Sequence, residues 1–212
     1  MILYGTPISP FVRKVSAYAA EKGIALEMVP VGIADPNPDF GAISPFRKMP
    51  ALQDGDFGIS DSSAIIAYLE AKHPEPAMVP STPESRARVV WFEEFGDTIV
   101  TAAAGKIFFN RIVSPRFVGK PGDEELALAG ERELVPLYDY LERTIPASGY
   151  LVDDRLTLAD IAVASPFVNA AHCGFTPNAA TYPVLSAWLA AMYARPSFAG
   201  SIAIERKILK LG

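Results

Sequence analysis

The 212-residue sequence predicts an α/β unit of order βαβ, loop, ββα, followed by an all-α unit. Three observations predict it. Short apolar strands and stretches of helical period alternate up to residue 72. The segment from His73 to Pro83 then carries Pro74, Pro76, Pro80 and Pro83, and cannot be a helix interior. Beyond it nearly everything has helical period. The predicted units are residues 1–77 and 84–212, joined by a Pro-rich linker at 78–83.

Residues 2–6 form a short apolar strand. Ser9 is a good N-cap and Pro10 a good first helical residue. Val12, Val15, Tyr18 and Ala19 recur at helical spacing, and Gly23 ends that helix. Residues 24–33 return to strand character, and residues 34–45, with three prolines and a glycine, read as loop. Residues 50–52 and 57–59 flank the turn Asp54-Gly55-Asp56 as a hairpin. Ser62, Ile65, Tyr68, Leu69 and Lys72 follow with helical period. In the second unit, Val89, Phe92, Ile99, Val100, Ala103 and Ile107 are predicted to share one helical face. Residues 123–145 form another helix, with Pro136 as a kink. Thr157 with Asp160 makes a capping box, and Leu156 with Ile161 a hydrophobic staple. The last clear helix opens at Tyr182-Pro183 and runs through Trp188 to Met192. The order βαβ, loop, ββα is the thioredoxin-like plan.

Half of the residues are hydrophobic, so the chain is a folded globule. The net charge of −5 leaves no basic stripe for nucleic acid. Cys173 stands alone, so no intramolecular disulfide forms, which fits a reducing compartment. Neither a signal peptide nor an apolar run of membrane-spanning length is readable. The reading is a cytoplasmic protein that binds neither membrane nor nucleic acid. Two histidines and one cysteine offer no metal-ligand spacing. Asp56-Phe57-Gly58 copies a kinase tripeptide without the loops that would give it meaning.

The chemistry gathers around Pro50. Proline contributes no N–H to a ladder, so the start of a strand is an awkward place for it. A cis Met49-Pro50 bond would resolve this and turn the Met49 backbone outward, toward a ligand with an extended backbone. Asp61-Ser62 sits where a helix begins. A carboxylate, a hydroxyl and free helix N–H groups there can grip an ammonium and a carboxylate together. The two features describe a pocket for a small peptide.

Pro50 with Asp61-Ser62 resembles the glutathione-binding half of the cytosolic glutathione transferases. Further matches follow in order. Residues 3–15, from Leu3-Tyr4-Gly5 through Ser9-Pro10 to Val15, are similar to the strand-to-helix turn of the serine-type classes, phi- or theta-like or a related bacterial class. Ser44-Pro45-Phe46-Arg47-Lys48-Met49-Pro50 is a close variant of the middle motif. Leu156-Thr157-Leu158-Ala159-Asp160 resembles the helix start of the family's helical domain. The resemblance spans nearly the whole chain. It implies the thioredoxin-like fold with the family's all-helical C-terminal domain, and glutathione as co-substrate without a metal. It also implies a small electrophilic substrate and a homodimer.

By that resemblance Ser9 is the catalytic candidate, donating a hydrogen bond to the glutathione thiolate. A free thiol has a pKa of about 8.5, and a shift of about two units corresponds to ~2.7 kcal/mol. A hydrogen bond to a charged acceptor supplies ~1.5–3 kcal/mol, so one serine helped by the helix dipole suffices in magnitude. The bland reading is that Ser9 only caps its helix. Tyr4 is the rival, since some classes use a tyrosine at the end of the first strand. Asp61 and Ser62 carry over as the γ-glutamyl anchor; the plain alternative is an N-cap pair. Met49 and Pro50 present the peptide backbone, and Lys48 is the candidate for glutathione's backbone or glycine carboxylate. The loop at 34–40 departs from the pattern: it has two acidic residues and no basic one. Arg13, Lys14, Arg47 and Lys48 are then expected to offset the chain's acidity locally. Phe108, Phe109 and Phe117 are candidates to line the second-substrate site, and Phe46 to plug into a partner subunit. Cys173 is a small buried filler. A non-enzymatic binding module, or an isomerase, dehalogenase or peroxidase on the same thiolate, remain the alternatives.

Overall fold

The computed structural model describes residues 1–211. Four strands form one sheet in the order β2-β1-β3-β4. Strand β1 (Ile2–Gly5) leads through helix α1 (Pro10–Glu21) to β2 (Glu27–Pro30), which pairs with it in parallel, Leu3 opposite Met28. Strand β3 (Ala51–Asp54) pairs antiparallel with β1, and β4 (Phe57–Ser60) antiparallel with β3. Helix α3 (Ser62–Lys72) closes the unit. Side chains alternate along β1 and β3. Leu3 and Leu52 face α1 and α3, where Val12, Val15, Ile65 and Leu69 are buried. Tyr4 and Ala51 face the other way, against Phe40 and Val31. Gly5 is needed where β1 meets α1, because a Cβ there would lie 2.4 Å from Val12 Cγ2.

Residues 34–45 are not all loop. Asn37 caps a short helix, α2 (Pro38–Ile43), its Oδ1 accepting from Phe40 N–H at 3.0 Å. The Asn-Pro pair was a readable start signal. Six residues, with Phe40 alone fully buried, are too few to show a helical period.

The proline-dense segment is held by hydrogen bonds from both sides. Glu70 Oε1 accepts the N–H groups of Met78 and Val79 at 3.0 and 3.1 Å, and Lys22 Nζ reaches Glu70 Oε2 and the Pro76 carbonyl, each at 2.6 Å. Leu158 N–H donates to the Met78 carbonyl at 3.0 Å.

Helix α4 (Pro83–Glu94) passes through a π-helical turn, Phe95–Val100, into α5 (Thr101–Phe108) and a second π segment, Phe109–Val118. The first π turn corrects the predicted face. Its wider winding adds a residue, which turns Phe95 and Gly96 inward and leaves Ile99 exposed. Val89, Phe92, Val100, Ala103 and Ile107 are buried as expected. Gly96 lets this turn lie against a neighbouring backbone, since a Cβ would come 2.5 Å from the Ala162 carbonyl oxygen.

Helix α6 (Glu124–Thr144) starts on the Asp123 cap and continues past Pro136 to its end. Helix α7 (Leu158–His172) is the central post, buried from Leu158 to Ala170 and packed against α1, α4 and α5. Its predicted capping box forms. Asp160 accepts from Thr157 N–H at 2.9 Å and Leu151 N–H at 2.8 Å, while burial pushes its carboxyl up to about 6. Helix α8 (Pro183–Ala194) is followed by α9 (Pro196–Ile208), a helix absent from the sequence reading, whose last clear helix ended at Met192.

Candidate functional site

The end of β1, the turn after β2 and the turn before β3 converge on the α5–α7 face of the helical unit. Between them lies an open cavity of about 750 Å³, walled mostly by apolar side chains. Residues 8–11 and 30–33 form one side, and residues 47–49 the rim. Phe108, Phe109 and Phe117 form the other side of the same cavity.

Ser9 lies in this wall at the N-cap of α1. Its Oγ accepts from Val12 N–H at a long 3.5 Å. A hydroxyl that accepts still has a proton to donate. The Ser9 O–H has no protein acceptor among the described residues. First-turn amides of α1 add positive potential at the same spot.

Tyr4 points away from the cavity. It is buried beside Phe40, and its hydroxyl donates to Gln53 Oε1 at 3.0 Å. Burial, with Asp39 and Glu27 nearby, raises its pKa, which makes it a poorer donor still. The alternation that puts Leu3 against α1 sends Tyr4 to the opposite face.

The Met49-Pro50 bond is cis. Neither the N–H nor the carbonyl of Met49 has a backbone partner among the described residues. Met49 lines the cavity rim, and Pro50 is buried just behind it. The Pro50 carbonyl accepts from Asp61 N–H at 3.3 Å, so the two sequence motifs meet directly. Asp61 caps α3, its Oδ1 accepting from Ser63 and Ala64 N–H at 3.0 Å each, while Oδ2 stays unpartnered among the described residues. Its φ of +84° is an uncommon conformation for a side-chain-bearing residue and is kept only where the surroundings enforce it. Ser62 is buried at the first turn of α3. Asp61 and Ser62 are not part of the cavity wall that holds Ser9; their link to it is the Pro50 carbonyl.

Lys48 is exposed at the rim. Its backbone is pinned by Ser44, whose Oγ donates to Lys48 C=O at 2.7 Å and accepts from Lys48 N–H at 3.0 Å. The Lys48 ammonium has no partner among the described residues. Arg47 also lines the rim, but its guanidinium donates to the carbonyls of Asp35 and Asn37.

Arg13 and Lys14 correct the expected local charge balance. Both are buried and ion-paired, Arg13 with Glu205 at 2.7 Å and Lys14 with Glu93 at 3.0 Å and with Asp97. They are spent on internal carboxylates, which leaves Lys48 as the rim cation without a protein partner among the described residues. Cys173 is packed at the end of α7, and burial pushes its thiol up to about 11, far from a reactive thiolate. Asn169, missed in the sequence, lines the cavity from α7. The signal was there: Ser165 and Asn169 are a polar i, i+4 pair in the apolar middle of α7.

Residues 3–77 match the family model of the glutathione S-transferase N-terminal domain, and residues 100–196 that of the C-terminal domain. The chain is 33% identical over 207 residues to glutathione S-transferase 3 of Zea mays, covering 95% of this chain and 92% of that protein. A glutathione S-transferase from Rhodospirillum rubrum F11 superposes with a TM-score of 0.85 at 28% identity, covering 93% of this chain and 89% of that one. A glutathione S-transferase I bound with lactoylglutathione gives 0.84 at 27% identity, covering 95% and 98%. With two consecutive domain matches, a relative matched over nearly its whole length and the same fold in solved structures, the chain belongs to the glutathione S-transferase family.

Proposed function

We propose that the chain is a glutathione transferase that holds glutathione as a thiolate at Ser9 for attack on a small hydrophobic electrophile. The observation that carries this is the Ser9 hydroxyl at the cavity wall, with an unused O–H beside a helix N-terminus. The thiol gives its proton to solvent, and Ser9 donates to the resulting sulfur anion. The thiolate then forms a C–S bond as the leaving group departs with its electron pair. The rate gain comes from thiolate population and from holding the two reactants together. Phe108, Phe109 and Phe117 supply an apolar wall for the electrophile.

In this reading the Met49 backbone pairs with the cysteinyl residue of glutathione. The free oxygen of Asp61 and the start of α3 at Ser62 take the γ-glutamyl ammonium and carboxylate. Lys48 takes the glycine carboxylate, and with no basic residue at 34–40 that end is held loosely. The lactoylglutathione in a relative at 27% identity supports a glutathione site here, and no metal enters the scheme. The units at residues 1–77 and 84–212, with the linker at 78–83, divide the labour between glutathione and electrophile. A reducing cytoplasm supplies the co-substrate, detoxification is the role such conjugation serves, and two copies associate as a homodimer.

The test is retention on immobilised glutathione together with conjugation of a panel of generic electrophiles. Retention with conjugation is the expected result. Retention without any conjugation favours a binding module, and loss of both removes the proposal.

A further inference from the structure

A buried polar cluster joins α1, α7 and α9 directly behind the Ser9 turn. Arg13, one turn beyond Ser9, is 0% exposed. Its Nε and Nη2 donate to Glu205 Oε1 and Oε2 at 2.7 Å each. Its Nη1 donates to the Ser165 carbonyl at 2.6 Å and to Asn169 Oδ1 at 2.9 Å. Glu205 comes from the last helix and is itself fully buried; its Oε2 also meets His172 Nε2 at 2.7 Å.

The donor chemistry fixes the next layer. Arginine only donates, so the Asn169 amide must turn its oxygen toward Arg13. That leaves Asn169 Nδ2 aimed at the Ile8 carbonyl, to which it donates at 2.9 Å. Ser165, held through its own carbonyl, donates its hydroxyl to the Pro10 carbonyl at 2.7 Å. Ile8 and Pro10 are the two chain neighbours of Ser9. The Ser9 side chain makes one long bond to its own helix, whereas the backbone on both sides of it is clamped from α7.

We infer that Glu205 is a positioning residue for the Ser9 hydroxyl: it fixes Arg13, Arg13 orients Asn169 and Ser165, and these hold the carbonyls that bracket Ser9. The inference rests on the reading of Ser9 as the thiolate's partner. Its physical basis is that a buried ion pair often stabilises a fold no better than apolar residues of the same volume, while this one orients the two side chains that hold Ile8 and Pro10. The arrangement set here is that of the proposed thiol site. The opposing reading, that the cluster only ties α9 to the body, predicts lost stability with no change in thiol chemistry.

The experiment uses Glu205→Gln, which keeps the volume but sets an amide N–H against the Arg13 donors, and Ser165→Ala, which removes only the hydroxyl that reaches Pro10. Misplacing a reacting group by about 1 Å can cost ~100-fold, and a partial release of the turn is expected to lower kcat by roughly five- to tenfold. The pKa of bound glutathione, read from thiolate absorbance, should rise, while KM for glutathione stays within about twofold. In a Ser9→Ala background the effect of Glu205→Gln should vanish. Folded Glu205→Gln and Ser165→Ala proteins with wild-type kcat and thiol pKa would overturn the inference. Should Glu205→Gln not fold, Ser165→Ala decides by the same two readouts. If Ser9→Ala lowers kcat but Glu205→Gln adds its full effect on top, this inference alone fails. If Ser9→Ala changes nothing, the reading of Ser9 fails and takes the inference with it.

Discussion

At Ser9 one oxygen can serve two ends: it accepts weakly from the helix and keeps a proton to give. Replacing it removes the donor and, with it, only the long cap bond from Val12 N–H. Ser9→Ala should raise the pKa of bound glutathione and slow conjugation by roughly 10- to 100-fold, the equivalent of the ~1.5–3 kcal/mol of a hydrogen bond to a charged acceptor. Full activity in Ser9→Ala, with loss in Tyr4→Phe, would reverse the assignment. Such a reversal runs against the placement of Tyr4, whose hydroxyl is occupied by Gln53. Asp61 acts at the other end of the co-substrate. Asp61→Asn keeps an oxygen to cap α3 and loses the charge, so KM for glutathione should rise with kcat little changed. Asp61→Ala also loses the cap, which typically costs about 1 kcal/mol of stability. Calorimetry that finds unchanged glutathione affinity in folded Asp61→Asn would remove the anchor role.

Among the elements, the contact of α1 with the α8–α9 junction carries a pH signature. Glu21, at the end of α1, accepts from Arg195 Nε and Nη2 at 2.7 and 2.8 Å. The Arg195 hydrogen bonds hold the Glu21 carboxyl below its ordinary value of 4.5, against a smaller opposing effect of burial. A carboxyl with a lowered folded-state pKa binds fewer protons folded than unfolded. Its contribution is therefore present above pH 4.5 and is lost as the pH falls through the lowered value. A partly exposed pair of this kind is worth at most about 1 kcal/mol, or ~2–4 °C in Tm for a chain of this size. Glu21→Gln should melt lower than the wild type at pH 7, and the gap should close as the pH falls below 4.5. A gap that is constant with pH would assign the loss to shape, not charge.

At the scale of the whole molecule the exposed apolar side chains bear on assembly. Phe46 is 84% exposed, so simple packing inside its own unit is not what holds it. Val90 and Trp91 on α4 are also about half exposed. Exposed apolar side chains on the two units are what a two-fold association would cover. Phe46→Ala should loosen the proposed dimer, since a buried aromatic anchor is commonly worth ~2 kcal/mol or more. It should also weaken glutathione binding, because Phe46 lies three residues before Met49. Sedimentation at micromolar concentration checks the dimer and the plug, and calorimetry with glutathione checks the binding. A wild-type monomer of 22.8 kDa ends the dimer proposal, and a fully dimeric Phe46→Ala ends the plug.

The features legible in the sequence are those fixed within a turn or two of chain. Caps at Ser9, Asp61 and Thr157, proline punctuation at 74–83, and strand alternation around the Asp54-Gly55-Asp56 turn all depend on near neighbours. So does the proline that opens β3, where the fold and the peptide pocket could be read together. Short α2 escaped because six residues cannot display a period, and Ile99 was misplaced because a π turn breaks one. What only the tertiary structure decided is where each charge finds its partner. Arg13 and Lys14 looked like rim cations and are buried, because Glu205 stands 192 residues from one and Glu93 and Asp97 stand 79 and 83 residues from the other. No local pattern encodes such pairings. They exist only once the helices have packed, because a charge can leave water only where a distant opposite charge has been brought to meet it.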